Sequence, residues 1–424
     1  MLTPMSVRIF LFLALLFSVS ETHAIPNSFI GNGNAIPIIP AFPRFNADLT
    51  QEFLDEAKWK EGDFSGPWSE EPSLPKLEVC RMTANPIVLG EVPMTVFAYS
   101  DGTETTELAI HFLDAGLYFG YQAGGESDKE ARASGRSRRN EFDKHFENVA
   151  ESVRERLEDG CGRGQNGTLG RHPMLRAEYT EYRWENFVLR LIEREDHSVS
   201  LHIFRSGSEP KLLTTPEWSD ADRRDRQAML EDKVVEGDSG ELRIEGLPVF
   251  TQGMTPFCGI HSLAMVGYHL GFRGSPEWLV ASADFKNTGS AGGSDMIGVH
   301  RAVAEELDMR VGISSNLDWN RVERSIRQGL PVIVWRRVSA AREKHHAVVA
   351  KSDDRISPLT KEQIDDLPES SEKGSPSHAS VITGLDREAG IVHYLEPWGY
   401  VGKNRRMRVE EMDTTVYAVF HFRL

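Results

Sequence analysis

The chain has 424 residues, enough for two or three domains. Hydrophobic residues make up 40% of it and charged residues 26%, which excludes a wholly disordered protein. The net charge of −16 disfavours binding to nucleic acid or to an anionic membrane surface, because both are negatively charged.

The first 24 residues have the features of a secretory signal. Arg8 precedes an apolar run of 12 residues, Ile9 to Ser20, which is too short to span the roughly 30 Å of a bilayer core. Thr22 and Ala24 are small residues at the positions that a signal peptidase inspects. We therefore predict cleavage after Ala24, export to the periplasm, cell surface or medium, and no stable membrane insertion afterwards. An uncleaved anchor is the alternative.

The next segments are predicted in chain order from their local patterns. Residues 25–75 lack a sustained period and are rich in Pro, Asn and Gly, so we predict an irregular leader. From residue 76 the pattern is strand-like, and Asp101-Gly102 separates two alternating runs that predict a hairpin.

The remainder of the first half mixes helix and strand. Residues 122–139 predict a mobile loop, and apolar residues from Phe142 to Leu157 recur at helical spacing up to Gly160. Residues 175–204 predict a three-strand meander. We therefore predict a separate α+β domain over 76–207, acting as a binding or scaffold module, and a helical linker over 208–244.

Three cysteines are an odd number for an exported protein. Cys80 and Cys161 both fall in the first half, whereas Cys258 stands alone in the second. The economical hypothesis is one disulfide, Cys80–Cys161, and one free reactive thiol at Cys258.

The stretch from Gln252 to Gly271 carries the most chemical information. A polar loop with Pro256 leads into Cys258, after which apolar residues recur at helical spacing until Gly271. A cysteine at a helix N-terminus lies among unsatisfied N–H groups that favour the thiolate. The side chain of Gln252 and the N–H of Cys258 are candidate donors for an oxyanion hole.

These residues resemble the papain-like cysteine peptidases. Gln-x5-Cys-Gly is typical of the whole group, and Cys-Gly-x-x-Ser-x-Ala-Met is similar to its C39-like branch. Three downstream segments resemble the core strand, the histidine strand and the acid-bearing strand of that family: GLPVIVW (329–335), SHASVITG (377–384) and IVHYLEPWG (391–399). The resemblance covers residues 245–424.

The resemblance implies a fold and a mechanism. The fold would be a cysteine-bearing helix packed on an antiparallel sheet, so the chain as a whole would be α+β. Cys258 would be the nucleophile of a peptidase, His378 its general base and Gln252 an oxyanion donor. Glu396 falls where the family usually has the Asp or Asn that orients the histidine. Gly292 and Gly293 would form a wall of the substrate cleft.

Several readings stay open. His346, which with His345 precedes an apolar run predicted as a strand, is a rival general base. Cys258 could be an inert buried cysteine in a module that binds peptides without cleaving them, and the same thiol could serve an acyltransferase or a glutaminase. No Cys/His cluster has zinc spacing and no nucleotide-binding fingerprint is present, so we expect no metal or cofactor and a peptide or protein substrate.

Overall fold

A computed structural model describes residues 52–62, 64, 66–74, 76–84, 86–119, 128–237, 240–253, 255–284, 295–352, 358–360, 362–363 and 376–424, with the backbone alone for 128–136. The predicted signal segment and most of the predicted leader lie outside these residues. No helix in the described ranges is both long and apolar enough to cross a membrane.

The first half of the chain forms an antiparallel sheet of eight strands in the order β1-β2-β3-β4-β8-β7-β6-β5. In chain order its elements are α1 (Glu56–Glu61), β1 (Trp68–Leu74), β2 (Leu77–Met82), β3 (Thr95–Ser100), β4 (Thr105–Asp114), α2 (Ala115–Phe119), α3 (Asp128–Cys161), β5 (Gln165–Leu169), β6 (Ala177–Trp184), β7 (Phe187–Arg194) and β8 (Ser198–Arg205). The predicted hairpin (β3–β4) and meander (β6–β7–β8) are confirmed.

Two local predictions for this half are wrong. The described part of the leader contains α1 and β1, and Trp59 is fully buried. Isolated aromatic side chains anchor this segment to the first sheet without producing a regular period. The predicted loop is also too long, because α3 already begins at Asp128.

The hypothesis of a Cys80–Cys161 disulfide is wrong, since all three cysteines are free. Cys161 lies close enough to the Tyr182 phenol for their charges to interact. Strand register links Cys80 to Tyr182 along one row of directly paired residues: Cys80, Ala98, Leu108, Ile203, Leu189 and Tyr182. At about 4.8 Å per strand that row spans about 24 Å, far beyond the reach of a disulfide.

The second half is built on another sheet of eight strands. Its main order is β11-β16-β12-β13-β10-β9, and β14 joins β13 to β15. In chain order the elements are α4 (Pro216–Asp220), α5 (Arg223–Glu231), β9 (Val234–Glu236), β10 (Leu242–Ile244), α6 (Cys258–His269), α7 (Pro276–Ser282), α8 (Met296–Glu306), β11 (Arg310–Ser314), α9 (Trp319–Arg327), β12 (Val332–Arg337), α10 (Ala340–Ala350), β13 (Ser377–Asp386), β14 (Ile391–Leu395), β15 (Arg405–Arg408), α11 (Val409–Thr415) and β16 (Val416–Arg423).

The predicted linker is only partly helical. Helices α4 and α5 occupy it, as its sequence indicates, but β9 and β10 follow and pair with the second sheet through β13. The second sheet therefore includes residues that precede position 245.

Both halves contribute to one hydrophobic cluster. It joins residues of the first sheet, such as Val79 and Ile192, to Leu263 of α6 and to Ile333 and Val381 of the second sheet. Helix α6 thus lies between the two sheets, and 10 of its 12 residues are buried. The fold is α+β with two antiparallel sheets, and the division into domains at 207 and 245 remains a prediction.

Candidate active site

Helix α6 presents Cys258 at its first position. Phe257 is the capping residue and is buried, whereas Cys258 itself is half-buried. The N–H groups in the first turn of a helix have no carbonyl partner within the helix. The main-chain N–H groups of Gly259 and Ala379 lie near the sulfur, where they favour its negative charge. The loop-to-helix junction therefore aims the sulfur at a cluster of N–H donors.

Strand β13 brings His378 to this junction. The Ser262 hydroxyl of α6 donates to the Ala379 carbonyl at 3.2 Å, which fixes the helix to the strand one residue after the histidine. His378 is 7% exposed and is paired directly with Arg336 of β12 in the sheet register.

The imidazole of His378 bridges Cys258 and Glu396. Its Nε2 lies 2.6 Å from Glu396 Oε2, and the ring also hydrogen-bonds the Cys258 sulfur, for which Nδ1 remains. Trp398 stacks on the imidazole with 4.7 Å between the ring centroids. The three residues that the family resemblance named as nucleophile, base and orienting acid are therefore in one hydrogen-bonded chain.

The electrostatics of this chain favour a thiolate–imidazolium pair. Burial raises the pKa of the Cys258 thiol, but the charge and hydrogen bond of His378 outweigh that effect and lower it. Burial lowers the pKa of His378, whereas the charges of Glu396 and Cys258 raise it to about 10. Between those two titrations the sulfur carries a negative charge and the ring a positive charge.

Glu396 is fully buried and remains an anion because its partners surround it. Burial raises the pKa of this carboxyl, but the charges of His378 and Arg336 bring it below its usual value. Its Oε1 accepts from Arg336 Nη2 at 2.5 Å and from the Ser380 hydroxyl at 2.8 Å. Both oxygens are therefore occupied, and only Oε2 faces the imidazole.

Gln252 lies beside this group but is not in contact with the sulfur through any hydrogen bond in the described residues. Its main-chain N–H donates to the Pro397 carbonyl at 2.9 Å, which ties its loop to the segment after Glu396. Its side-chain Nε2 donates to the Thr255 carbonyl at 3.0 Å, and its Oε1 is buried without a partner there. Its Nε2 carries a second N–H besides the one that it donates to Thr255.

The other candidate residues are placed elsewhere. His346 lies within helix α10, not before a strand, and its ring is buried between Glu343 and Glu411. His261, three residues after Cys258 on the same helix, is also buried, and its Nδ1 lies 3.0 Å from the Phe257 carbonyl. Gly292 and Gly293 lie outside the described residues.

The sequence pattern did not reveal Arg336, Ser380 or the contact of Ser262. Arg336 follows four apolar residues in β12 and precedes Arg337, and a charge in such a strand is the signal that would have drawn attention to it. Its position opposite His378 depends on the pairing of β12 with β13, which the local sequence does not specify.

The arrangement is that of a thiol nucleophile with a general acid–base partner. A thiolate beside an imidazolium attacks a carbonyl carbon, and the ring then transfers its proton to the leaving group. Within the described residues no group of His, Cys, Asp and Glu has the geometry of a metal site.

Comparison with known proteins gives a sparse result. No protein-family profile matches the chain. No curated protein matches it either. Among solved structures, the chain is similar to a candidate C39-like peptidase from Bacillus anthracis, with 15% sequence identity and a TM-score of 0.28. The match covers 43% of this chain and 96% of that one.

Proposed function

We propose that the protein is a thiol hydrolase of papain-like fold in its second half, and specifically a cysteine peptidase acting on peptides or proteins. The observation that carries the proposal is the chain Glu396–His378–Cys258, with its 2.6 Å carboxylate–imidazole contact and with the half-buried residue Cys258 at a helix N-terminus. A metal or an organic cofactor has no role in this mechanism.

Acylation begins from the thiolate–imidazolium pair. The Cys258 sulfur uses its electron pair to form a bond to the carbonyl carbon of the scissile amide, and the carbonyl π electrons move to oxygen. The Cys258 N–H and the second N–H of the Gln252 side-chain amide are the donors that we assign to that oxyanion. When the C–N bond breaks, the His378 imidazolium gives its proton to the departing amine, and a thioester remains.

Deacylation uses the now neutral imidazole as a base. His378 takes a proton from water, the hydroxyl adds to the thioester carbon, and collapse releases a carboxylic acid and the Cys258 thiolate. Glu396 stabilises the imidazolium in both steps because it remains ionised opposite Nε2. An amine in place of water would give acyl transfer by the same route.

Export is part of the proposal and is supported by the signal-like segment at residues 1–24. The lowered pKa of the Cys258 thiol supports its role as the nucleophile, because the thiolate is the reactive form of a cysteine. We assign residues 76–207 as a domain that supports the second half and residues 245–424 as the domain that holds the reacting groups.

The proposal is tested with an unbiased peptide library and mass spectrometry of the products. The protein should cleave a subset of the peptides, Cys258→Ala should abolish cleavage, and Cys161→Ala should not. Added amines separate hydrolysis from acyl transfer, because a transferase would give amide products in place of acids. Peptide binding without any cleavage or transfer, at an unreactive Cys258, would contradict the proposal.

A further inference from the structure

Behind Glu396 lies a buried cluster of charges that the proposed mechanism does not use. Its members, all at most 5% exposed, are Arg336, Glu343, Arg405, His346, Glu411 and Arg342. Arg336 is the only arginine in the described residues that contacts Glu396, so it is the link between the cluster and the site.

Every donor that Arg336 directs toward the site serves to hold Glu396. Its Nη2 lies 2.5 Å from Glu396 Oε1 and 2.9 Å from Glu343 Oε1. Its Nε donates to the Ser380 hydroxyl at 2.9 Å, and that hydroxyl donates in turn to the same Glu396 oxygen. One carboxylate oxygen is thus fixed from two directions, and the other is left for His378.

The far end of the cluster fixes Arg336 itself. The Glu343 carboxylate, from helix α10, also lies 3.3 Å from Arg405 Nη1 and 3.5 Å from His346 Nδ1, so it pairs with three neighbours of the cluster at once. The guanidinium also stands over the Tyr394 ring at 5.3 Å. A planar, permanently charged fork suits this position, where several acceptors are met at fixed angles.

A glutamate in this position has one more rotatable bond than an aspartate, so its carboxylate can adopt more orientations. It is also without any solvent contact, where an uncompensated carboxylate takes up a proton. Charge compensation and fixed orientation must therefore come from neighbouring groups.

We propose that Arg336 is a positioning residue that keeps Glu396 ionised and turns its Oε2 toward His378, so that the thiolate–imidazolium pair forms at Cys258. This inference rests on the proposed function, because it assigns a role in maintaining that reacting pair. Arg336 acts only through Glu396 and does not touch the reacting atoms.

The test measures alkylation of Cys258 by iodoacetamide as a function of pH, with the modified peptide quantified by mass spectrometry. In Arg336→Met, Glu396 loses its counter-charge and takes up a proton, so it no longer stabilises the imidazolium. The acid limb of the profile should move to higher pH by about one unit, and the rate at a pH below the limb should fall about tenfold. An acid limb that stays in place in the folded variant would overturn the inference.

A double-mutant cycle shows whether Arg336 acts through Glu396. Glu396→Gln alone should raise the acid limb, and adding Arg336→Met should move it no further. If Arg336→Met moved the acid limb equally in the wild type and in Glu396→Gln, Arg336 would not act through Glu396. If Arg336→Met does not fold, the double variant Arg336→Gln with Glu343→Gln should move the acid limb to higher pH in the same way. It removes the positive charge of Arg336 together with the negative charge of Glu343, so neither is left buried without the other.

A matched control separates this effect from loss of a buried arginine as such. Arg190 is 3% exposed and pairs with Glu181 at 3.2 Å in the first sheet. Arg190→Met should leave the acid limb unchanged, and an equal shift there would overturn the inference.

The alkylation assay needs no substrate, so the two proposals fail separately. If the acid limb of the wild type lies below the ordinary thiol pKa but Arg336→Met does not move it, only the role of Arg336 is overturned. A wild-type limb at the ordinary thiol pKa, about 8.5, overturns both.

Discussion

Replacing Glu306 with alanine should loosen the connection between the two halves of the molecule. Glu306 is 1% exposed and belongs to helix α8. Its Oε2 accepts from the main-chain N–H groups of Arg171 at 2.7 Å and His172 at 2.8 Å, and its Oε1 accepts from that of Leu213 at 3.1 Å. One side chain of the second half therefore holds three amides of the earlier segments.

The size of the effect follows from these contacts. A hydrogen bond to a charged acceptor contributes about 1.5–3 kcal/mol, so each amide should open roughly 10 to 150 times more often without it. Only the Leu213 amide is fully buried, and water replaces part of the loss at the other two. We expect a total loss of about 4 kcal/mol in the free energy of unfolding.

Hydrogen exchange measured by mass spectrometry, together with urea unfolding, tests this expectation. The neighbouring residue Glu305 provides the control. Its side chain is 64% exposed, and its one ion pair within the described residues is with His172, at 3.4 Å. Glu305→Ala should cost about 0–1 kcal/mol and leave amide exchange unchanged. Equal effects of the two substitutions, or unchanged exchange at residues 171, 172 and 213 in Glu306→Ala, would refute the reasoning.

Three further predictions concern the site and the cysteines. Peptide hydrolysis should rise with pH as Cys258 ionises below the ordinary thiol pKa, and fall as His378 loses its proton near pH 10; a fall near pH 6.5 would contradict the raised pKa. Gly116→Ala would place a Cβ 2.9 Å from the ring of Phe257, the residue before Cys258, and should slow alkylation of Cys258 about tenfold. Gly237→Ala, whose Cβ would have its nearest neighbour 3.6 Å away, should leave the alkylation rate unchanged. Unreduced protein, once unfolded, should titrate three thiols with a chromogenic disulfide, and a count of one would restore the bridge that the structure excludes.

The grouping of the site residues could be predicted from sequence because each lies in a short segment with its own signal. Cys258 follows a polar loop and begins an apolar helix, His378 is the second residue of an apolar strand, and Glu396 directly follows another. The order of these segments fits one known arrangement. The resemblance therefore named residues that lie in contact, although more than a hundred positions separate the cysteine from the histidine.

The surroundings of the site could not be predicted, since they depend on long-range pairing. Ser380 and Arg336 face Glu396 only because β12, β13 and β14 align in one register. His346 was expected before a strand because two valines follow it, but Ser339 caps a helix that continues through them. The Cys80–Cys161 hypothesis failed for the same reason, since counting cysteines does not show how many strands separate them.

The burial of helix α6 limits how a substrate can reach Cys258. Ten of the 12 residues of the helix are buried, so surrounding side chains hold it in place on all sides. Only its tip, Cys258 and Gly259, meets the surface. Under the proposed function, a substrate therefore reaches Cys258 at the end of the helix, and its selection depends on the side chains around that end.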